Sequence, residues 1–348
     1  MSDLVTDFDV SADSPEPDSA SSKVRPQPKK KLPLYGKIGL VWIILVVLAS
    51  VISPFLTADP IRNDTGRVLQ ACGDGTGLPL YDPLACSDLS ARPTAKAKSK
   101  AKAKAKDSDV TFEHIAGVDS AGQDVFSMVI IGAKNTLMIA FGAIAVAMLL
   151  GGTLGVISGY FGGKVNTAIS FLLDVLVSFP QIVLAFAIAA FVQGNADQNP
   201  PSLTKAILNM IITLGIVAAP LLGRITRAST LTWAQREFVV AAKAMGARDF
   251  RIIVRDVFPN VLPALLSITT LAVGVAIVAE GSLALIGLGL PNGTAVSWGT
   301  VMATGGKDFS NYSIMVFLPG AFIVLTVMAL NMLGDAIRQK FDVKESAL

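Results

Sequence analysis

Apolar residues in this chain are gathered into six long runs, and that distribution constrains the fold more than any other feature. The runs lie near residues 37–56, 135–159, 167–192, 206–223, 261–288 and 313–334. An α-helix rises about 1.5 Å per residue, so roughly 20 apolar residues in succession cross a hydrocarbon layer of about 30 Å. Of the 348 residues, 52% are hydrophobic and only 16% charged, where a soluble domain carries about a quarter charged. The expectation is an all-α integral membrane protein with six transmembrane helices.

Charge sets its orientation. Residues 1–31 combine Pro, Ser and Asp with a later cluster of Lys23, Arg25, Lys29, Lys30 and Lys31. They read as a disordered cytoplasmic tail that doubles as a topology signal. No apolar run begins before Ile38, so no cleavable leader is expected. Among short loops, one side holds only Lys205 and Lys307. The other holds Arg224, Arg227, Arg236, Lys243, Arg248, Arg251 and Arg255. The excess of Lys and Arg places this second side, and with it both termini, in the cytoplasm.

The resulting organisation is a tail (1–31), a first span (32–60), an external insert (61–110), a core with five further spans (111–343) and a short tail (344–348). The insert carries Cys72 and Cys86, a candidate disulfide in an oxidising compartment or else two unpaired thiols. Its run AKAKSKAKAKAK (95–106) is either a solvated spacer or an arm for anionic envelope polymers or an acidic partner. Turn chemistry at Pro291, Asn292 and Gly293 predicts an ordered outer loop after the fifth span.

Residues 232–263, TWAQREFVVAAKAMGARDFRIIVRDVFPNVLP, form a polar, basic interruption between two apolar runs. Thr232 and Gln235 suggest a capping box. Phe238, Ala241, Ala242 and Met245 form one apolar helical stripe, and Phe250, Ile253, Val254 and Val257 a second, with Gly246 between them as a hinge. Pro259 is expected to end the second helix and Pro263 to open the next span. Spacing alone fits an amphipathic pair lying on the membrane surface or a site pushed from outside the bilayer.

Within the spans, Gly151, Gly155 and Gly159 make a doubled G-x-x-x-G, a pattern that lets helices approach closely. Asp174, Ser178 and Gln181 make a polar stripe beside a kink candidate at Pro180. These residues, and Glu280 in the fifth span, either line a translocation path or hydrogen-bond between helices. No phosphate-binding G-x-x-x-x-G-K-[ST] loop occurs, so ATP is not bound by that route. His114 is the only histidine, and no metal site is expected. From residues alone an ATP-independent secondary transporter or channel using Asp174, Glu280 and Asp335 stays open, as does an envelope-anchoring protein.

The stretch at 232–263 resembles the coupling motif of permease subunits in ATP-binding-cassette importers: Glu-Ala-Ala, three residues, Gly, nine residues, then Ile-x-Leu-Pro. Ala241, Ala242, Gly246 and Pro259 fall at its positions. Val240, Asp256 and Phe258 stand where the motif has Glu, Ile and Leu. HIAGVDSAGQDVFS (114–127), GYFGG (159–163), DVLVSFP (174–180), AEGSLALIGLGL (279–290), SWG (297–299) and LNMLGDAIRQKFD (330–342) are similar to segments of the dipeptide/oligopeptide/nickel permease family, most like its "C" type. Gln123 and Ile115 depart from that pattern, and residues 61–110 have no counterpart in it. The resemblance implies a type I importer permease fold and a pore shared with a second permease. It implies two ATP-binding subunits that hold ATP and Mg, and an extracytoplasmic solute-binding protein. The chain itself would bind no cofactor or nucleic acid, catalyse nothing, and carry peptides or, alternatively, nickel or another small solute. The ATPase contact would fall on Glu237, Ala241, Ala242, Gly246, Ala247, Asp249, Arg251, Asp256 and Pro259.

Overall fold

The structure is a computed structural model that describes residues 33–56, 116, 125–193, 202–290, 295–307, 309–310 and 312–345. Cys72, Cys86, His114, the lysine run and the Pro291–Gly293 turn lie outside the described residues. Within them every regular element is helical. We number these α1 (Leu34–Leu56), α2 (Val125–Phe161), α3 (Gly163–Ser178), α4 (Gln181–Gln193), α5 (Leu203–Ala234), α6 (Glu237–Ala244), α7 (Asp249–Leu285), α8 (Trp298–Lys307) and α9 (Ile314–Glu345). One π-helical turn interrupts α2 at Met148–Gly152 and another interrupts α7 at Ile253–Val257.

Five of these helices are long and apolar enough to cross a membrane, and α3 with α4 makes a sixth if the pair is one span. That pair is bent by 94°. The bend has a local cause. Phe179 precedes Pro180, whose ring excludes the helical conformation from its neighbour, and Phe179 is extended at φ −84°, ψ 139°. The span expected over 167–192 is thus two helices that meet at the kink candidate Pro180.

The core gathers around Trp298. Its indole is fully buried among residues of α2, α7 and α9, including Val129, Ile277 and Met315, and its Nε1 donates to the Val129 carbonyl at 2.8 Å. On the outer side of this core α1 packs against α9, pinned by Trp42 Nε1 donating to Thr326 Oγ1 at 3.1 Å.

The contact between α2 and α5 is extensive, and the glycine stripe explains it. A Cβ added at Gly155 would lie 2.5 Å from the Gly223 carbonyl oxygen, and one at Gly159 2.8 Å from that of Arg227. A Cβ at Gly151 would strike the Ala219 carbonyl oxygen. In a bilayer, where lipid offers no hydrophobic penalty for exposure, such backbone-to-backbone approach is a main source of helix association. The stripe performs the close packing expected of it.

Candidate functional site

The polar, basic interruption folds as the helix pair α6 and α7, but its ends differ from expectation. Helix α5 runs on to Ala234, and Thr232 Oγ1 donates back to the Ala228 carbonyl at 3.2 Å. Thr232 therefore sits in the last turn of α5 and caps nothing. Arg236 occupies the N-cap of α6 without a side-chain capping bond, its guanidinium 5.3 Å over the Trp233 ring.

Gly246 closes α6. Its φ is +78°, and the amides of Gly246 and Ala247 donate to the carbonyls of Lys243 and Ala242 at 3.0 and 3.1 Å. These two bonds form a Schellman motif, which needs a left-handed residue at this position and favours glycine. A Cβ at Gly246 would meet nothing within 4 Å, so the constraint there is conformational and not one of space.

Pro259 does not end the second helix. The π turn directly before it widens the backbone, with the Phe258 amide donating to the Ile253 carbonyl, and Pro259 then falls in the first turn of the α-helical segment that follows. Proline is tolerated there because its missing N–H would have no intrahelical partner. Asn260 Nδ2 also donates to the Asp256 carbonyl at 2.6 Å. The second coupling helix is thus the start of the fifth span, and Pro263 lies within the same helix.

The apolar stripes turn inward only in part: Val257 is buried and Ala242 and Ile253 pack against the bundle, whereas Phe238, Ala241, Met245, Phe250 and Val254 are exposed. Val239, Ile252, Val257, Val261 and Leu265 are the buried residues, packed with Tyr160 at the end of α2. Ala242 and Ala247 pack against this cluster too. Phe238, Val240, Val254 and Phe258 are exposed, as are Met245 (81%) and Phe250 (78%). Both faces of this pair are apolar, and periodicity cannot tell which of two apolar faces turns inward. Glu237, Ala241, Arg251 and Pro259 are exposed on the pair, and Asp256 is half-buried.

Two polar attachments were not legible in the sequence. The Tyr160 hydroxyl donates to Asp249 Oδ1 at 2.7 Å, with Lys243 Nζ 4.5 Å from the centre of the same ring. Asn166 Oδ1 accepts from Arg227 Nε at 2.5 Å and Ser158 Oγ at 2.8 Å, tying α3, α5 and α2 together. The Tyr160–Asp249 and Asn166–Arg227 bonds join positions 89 and 61 apart in sequence, so no local pattern announces them.

The polar stripe of the third span is divided by the bend: Asp174 and Ser178 lie on α3, and Gln181 begins α4. Ser178 Oγ donates to the Asp174 carbonyl at 2.8 Å. The Asp174 carboxylate pairs with Arg224 of α5 at 2.5 Å, and both side chains stay open, at 61% and 46% exposure. Glu280 is different. It is fully buried, taking Ser297 Oγ at 2.6 Å, Thr136 Oγ1 at 3.5 Å and the Gly299 amide. These bonds link α7 to α2 and to the segment before α8.

Residues 151–345 match the family described as "binding-protein-dependent transport system inner membrane component". The chain is 34% identical over 232 residues to the dipeptide transport system permease protein DppC of Alkalihalophilus pseudofirmus, covering 67% of this chain and 72% of that one. It is 30% identical to a peptide transport system permease protein, described as putative, of Brucella suis, covering 88% and 86%. It is 30% identical to the glutathione transport system permease protein GsiD of Pectobacterium atrosepticum, covering 66% and 73%. Inward-facing structures of the MetNI methionine ABC transporter share the fold, one with a TM-score of 0.51 at 21% identity over 62% of this chain and 96% of that chain. The chain therefore belongs to the binding-protein-dependent inner membrane components and is the permease subunit of an ATP-driven ABC importer.

Proposed function

We propose that this permease carries di- or oligopeptides. The observation that carries the substrate class is the set of relatives named for dipeptide, peptide and glutathione transport. Nickel or another small solute is the second reading, favoured only by the breadth of the family the sequence resembles.

In this reading the chain shares its pore with a second permease. The exposed face of α6 and α7 docks on one of two ATPase subunits, which bind ATP and Mg, and this chain hydrolyses nothing itself. An extracytoplasmic binding protein delivers the solute, and both termini lie in the cytoplasm. Glu237, Ala241, Gly246, Arg251, Asp256 and Pro259 mark the docking face, with Phe238, Met245 and Phe250 supplying apolar contact. Ala242 and Ala247, packed inward, set the tilt of the pair. Val240 is exposed where the motif has an acid, so docking here leans on apolar burial more than on charge.

Asp174, Ser178, Gln181 and Arg224 form a polar surface on membrane helices. Charged groups in a span turn toward a wet cavity or a partner and away from lipid, which supports a place on the translocation path. The test is reconstitution of the permease pair, ATPases and binding protein in proteoliposomes. ATP-dependent accumulation of a labelled dipeptide is expected. Uptake that is indifferent to ATP contradicts the reading.

A further inference from the structure

We propose that Tyr160, Asp249 and Lys243 form the joint through which movement of the coupling pair reaches α2, so that Asp249 works inside this chain as a positioning residue and not at the ATPase contact. The inference rests on the coupling reading above. Three observations carry it.

The Tyr160 ring is the meeting point of three elements. It is the penultimate residue of α2 and is buried. Its hydroxyl donates to Asp249, the first residue of α7, and its face is covered by Lys243 of α6. The pair is also held to the bundle by the apolar cluster of Val239, Ile252, Val257, Val261 and Leu265, by the Trp233 ring of α5 against Phe238 and Arg236, and through α7 itself. Apolar packing is non-directional, whereas a hydrogen bond to a carboxylate is short, directional and stronger than a neutral one.

The joint also sits at the start of a stiff path. From Tyr160 the chain leads back through Gly159, Gly155 and Gly151, where α2 lies against the backbone of α5. Displacement of α7 at Asp249 is thus delivered to two membrane helices at once. The alternative is that Asp249 serves only its own helix, as an acid in the first turn of α7, a favourable place for negative charge. That role would not require Tyr160.

The test uses the full complex in proteoliposomes and reads solute taken up per ATP hydrolysed. ATP-driven uptake by the wild type is the control, and its absence defeats the coupling reading and not this proposal. Tyr160→Phe keeps the ring and its cation contact and removes only the hydroxyl. It is expected to lower the ratio at least threefold while ATPases still co-purify and hydrolyse ATP. Asp249→Ala should do the same, Asp249→Asn, which keeps an acceptor oxygen, should restore most of the ratio, and the Tyr160→Phe, Asp249→Ala pair should be no worse than either alone. An unchanged ratio in Tyr160→Phe overturns the proposal. So does loss of ATPase co-purification in Asp249→Ala alone, which would put the carboxylate at the ATPase, and so does loss of folded permease in Tyr160→Phe, which would make the contact purely structural.

Discussion

Ser297 Oγ donates to Glu280 Oε1 at 2.6 Å, joining the segment before α8 to the C-terminal part of α7 where neither group is exposed. Thr136 completes the junction: its hydroxyl reaches Glu280 Oε2 at 3.5 Å and accepts the Trp298 amide at 3.0 Å. The α7 carboxylate is the common acceptor for α2 and the Ser297–Gly299 segment.

Glu280→Ala should therefore destabilise the permease, because it strands the Ser297 hydroxyl and the Gly299 amide. A buried donor left unpaired costs about 1–3 kcal/mol. Glu280→Gln keeps an acceptor oxygen and should lose less than half as much. Thermal unfolding in detergent, followed by size-exclusion fluorescence, checks both.

Gly155→Val should reduce folded yield sharply, since the new Cβ would lie 2.5 Å from the Gly223 carbonyl oxygen and backbone cannot yield cheaply. Gly152→Ala, one turn away with nothing within 4 Å of its Cβ, should be neutral or stabilise by up to about 1 kcal/mol. The comparison of membrane-extracted yields separates helix contact from helix propensity.

Asp174→Ala and Arg224→Ala should fold normally. An exposed ion pair contributes about 0–1 kcal/mol. If the pair lies on the path, each variant should lower dipeptide uptake at least fivefold at unchanged yield. Uptake at the wild-type rate would move the pair off the path.

Phe250→Ser and Met245→Ser should leave the melting temperature of the permease unchanged, because both side chains are exposed. They should weaken ATPase co-purification, since these apolar surfaces stay open among the described residues. Retention of the ATPases in the double variant would place the docking face elsewhere.

The spans were legible because long apolar runs have few alternatives in a helix-only solvent, and the bend at Pro180 was legible because proline acts on its immediate neighbour. Gly246 was legible for a similar reason: its left-handed turn is a local demand. Other features failed for reasons that are also physical. Pro259 reads as a stop signal, but a π turn at Ile253–Val257 lets the helix pass through it. Phe238 and Phe250 belong to the apolar stripes, yet both are exposed, and Val239 and Ile252, off those stripes, face the bundle together with Val257. A surface built for a partner is apolar on its outside, so the larger side chains point the wrong way for a lone chain. The bond between Tyr160 and Asp249 joins positions 89 apart, and nothing near either one foretells it.

The central claim is that the helix pair closed at Gly246 converts ATP hydrolysis into movement of the bundle. Gly246→Val forces a β-branched residue into a conformation it strongly disfavours, in a place where the side chain itself has room. The measurement is the rate of ATP-driven dipeptide uptake by this variant, reconstituted with its partners at wild-type permease levels. The account predicts a loss of at least tenfold with membrane insertion intact. Uptake at the wild-type rate would contradict it.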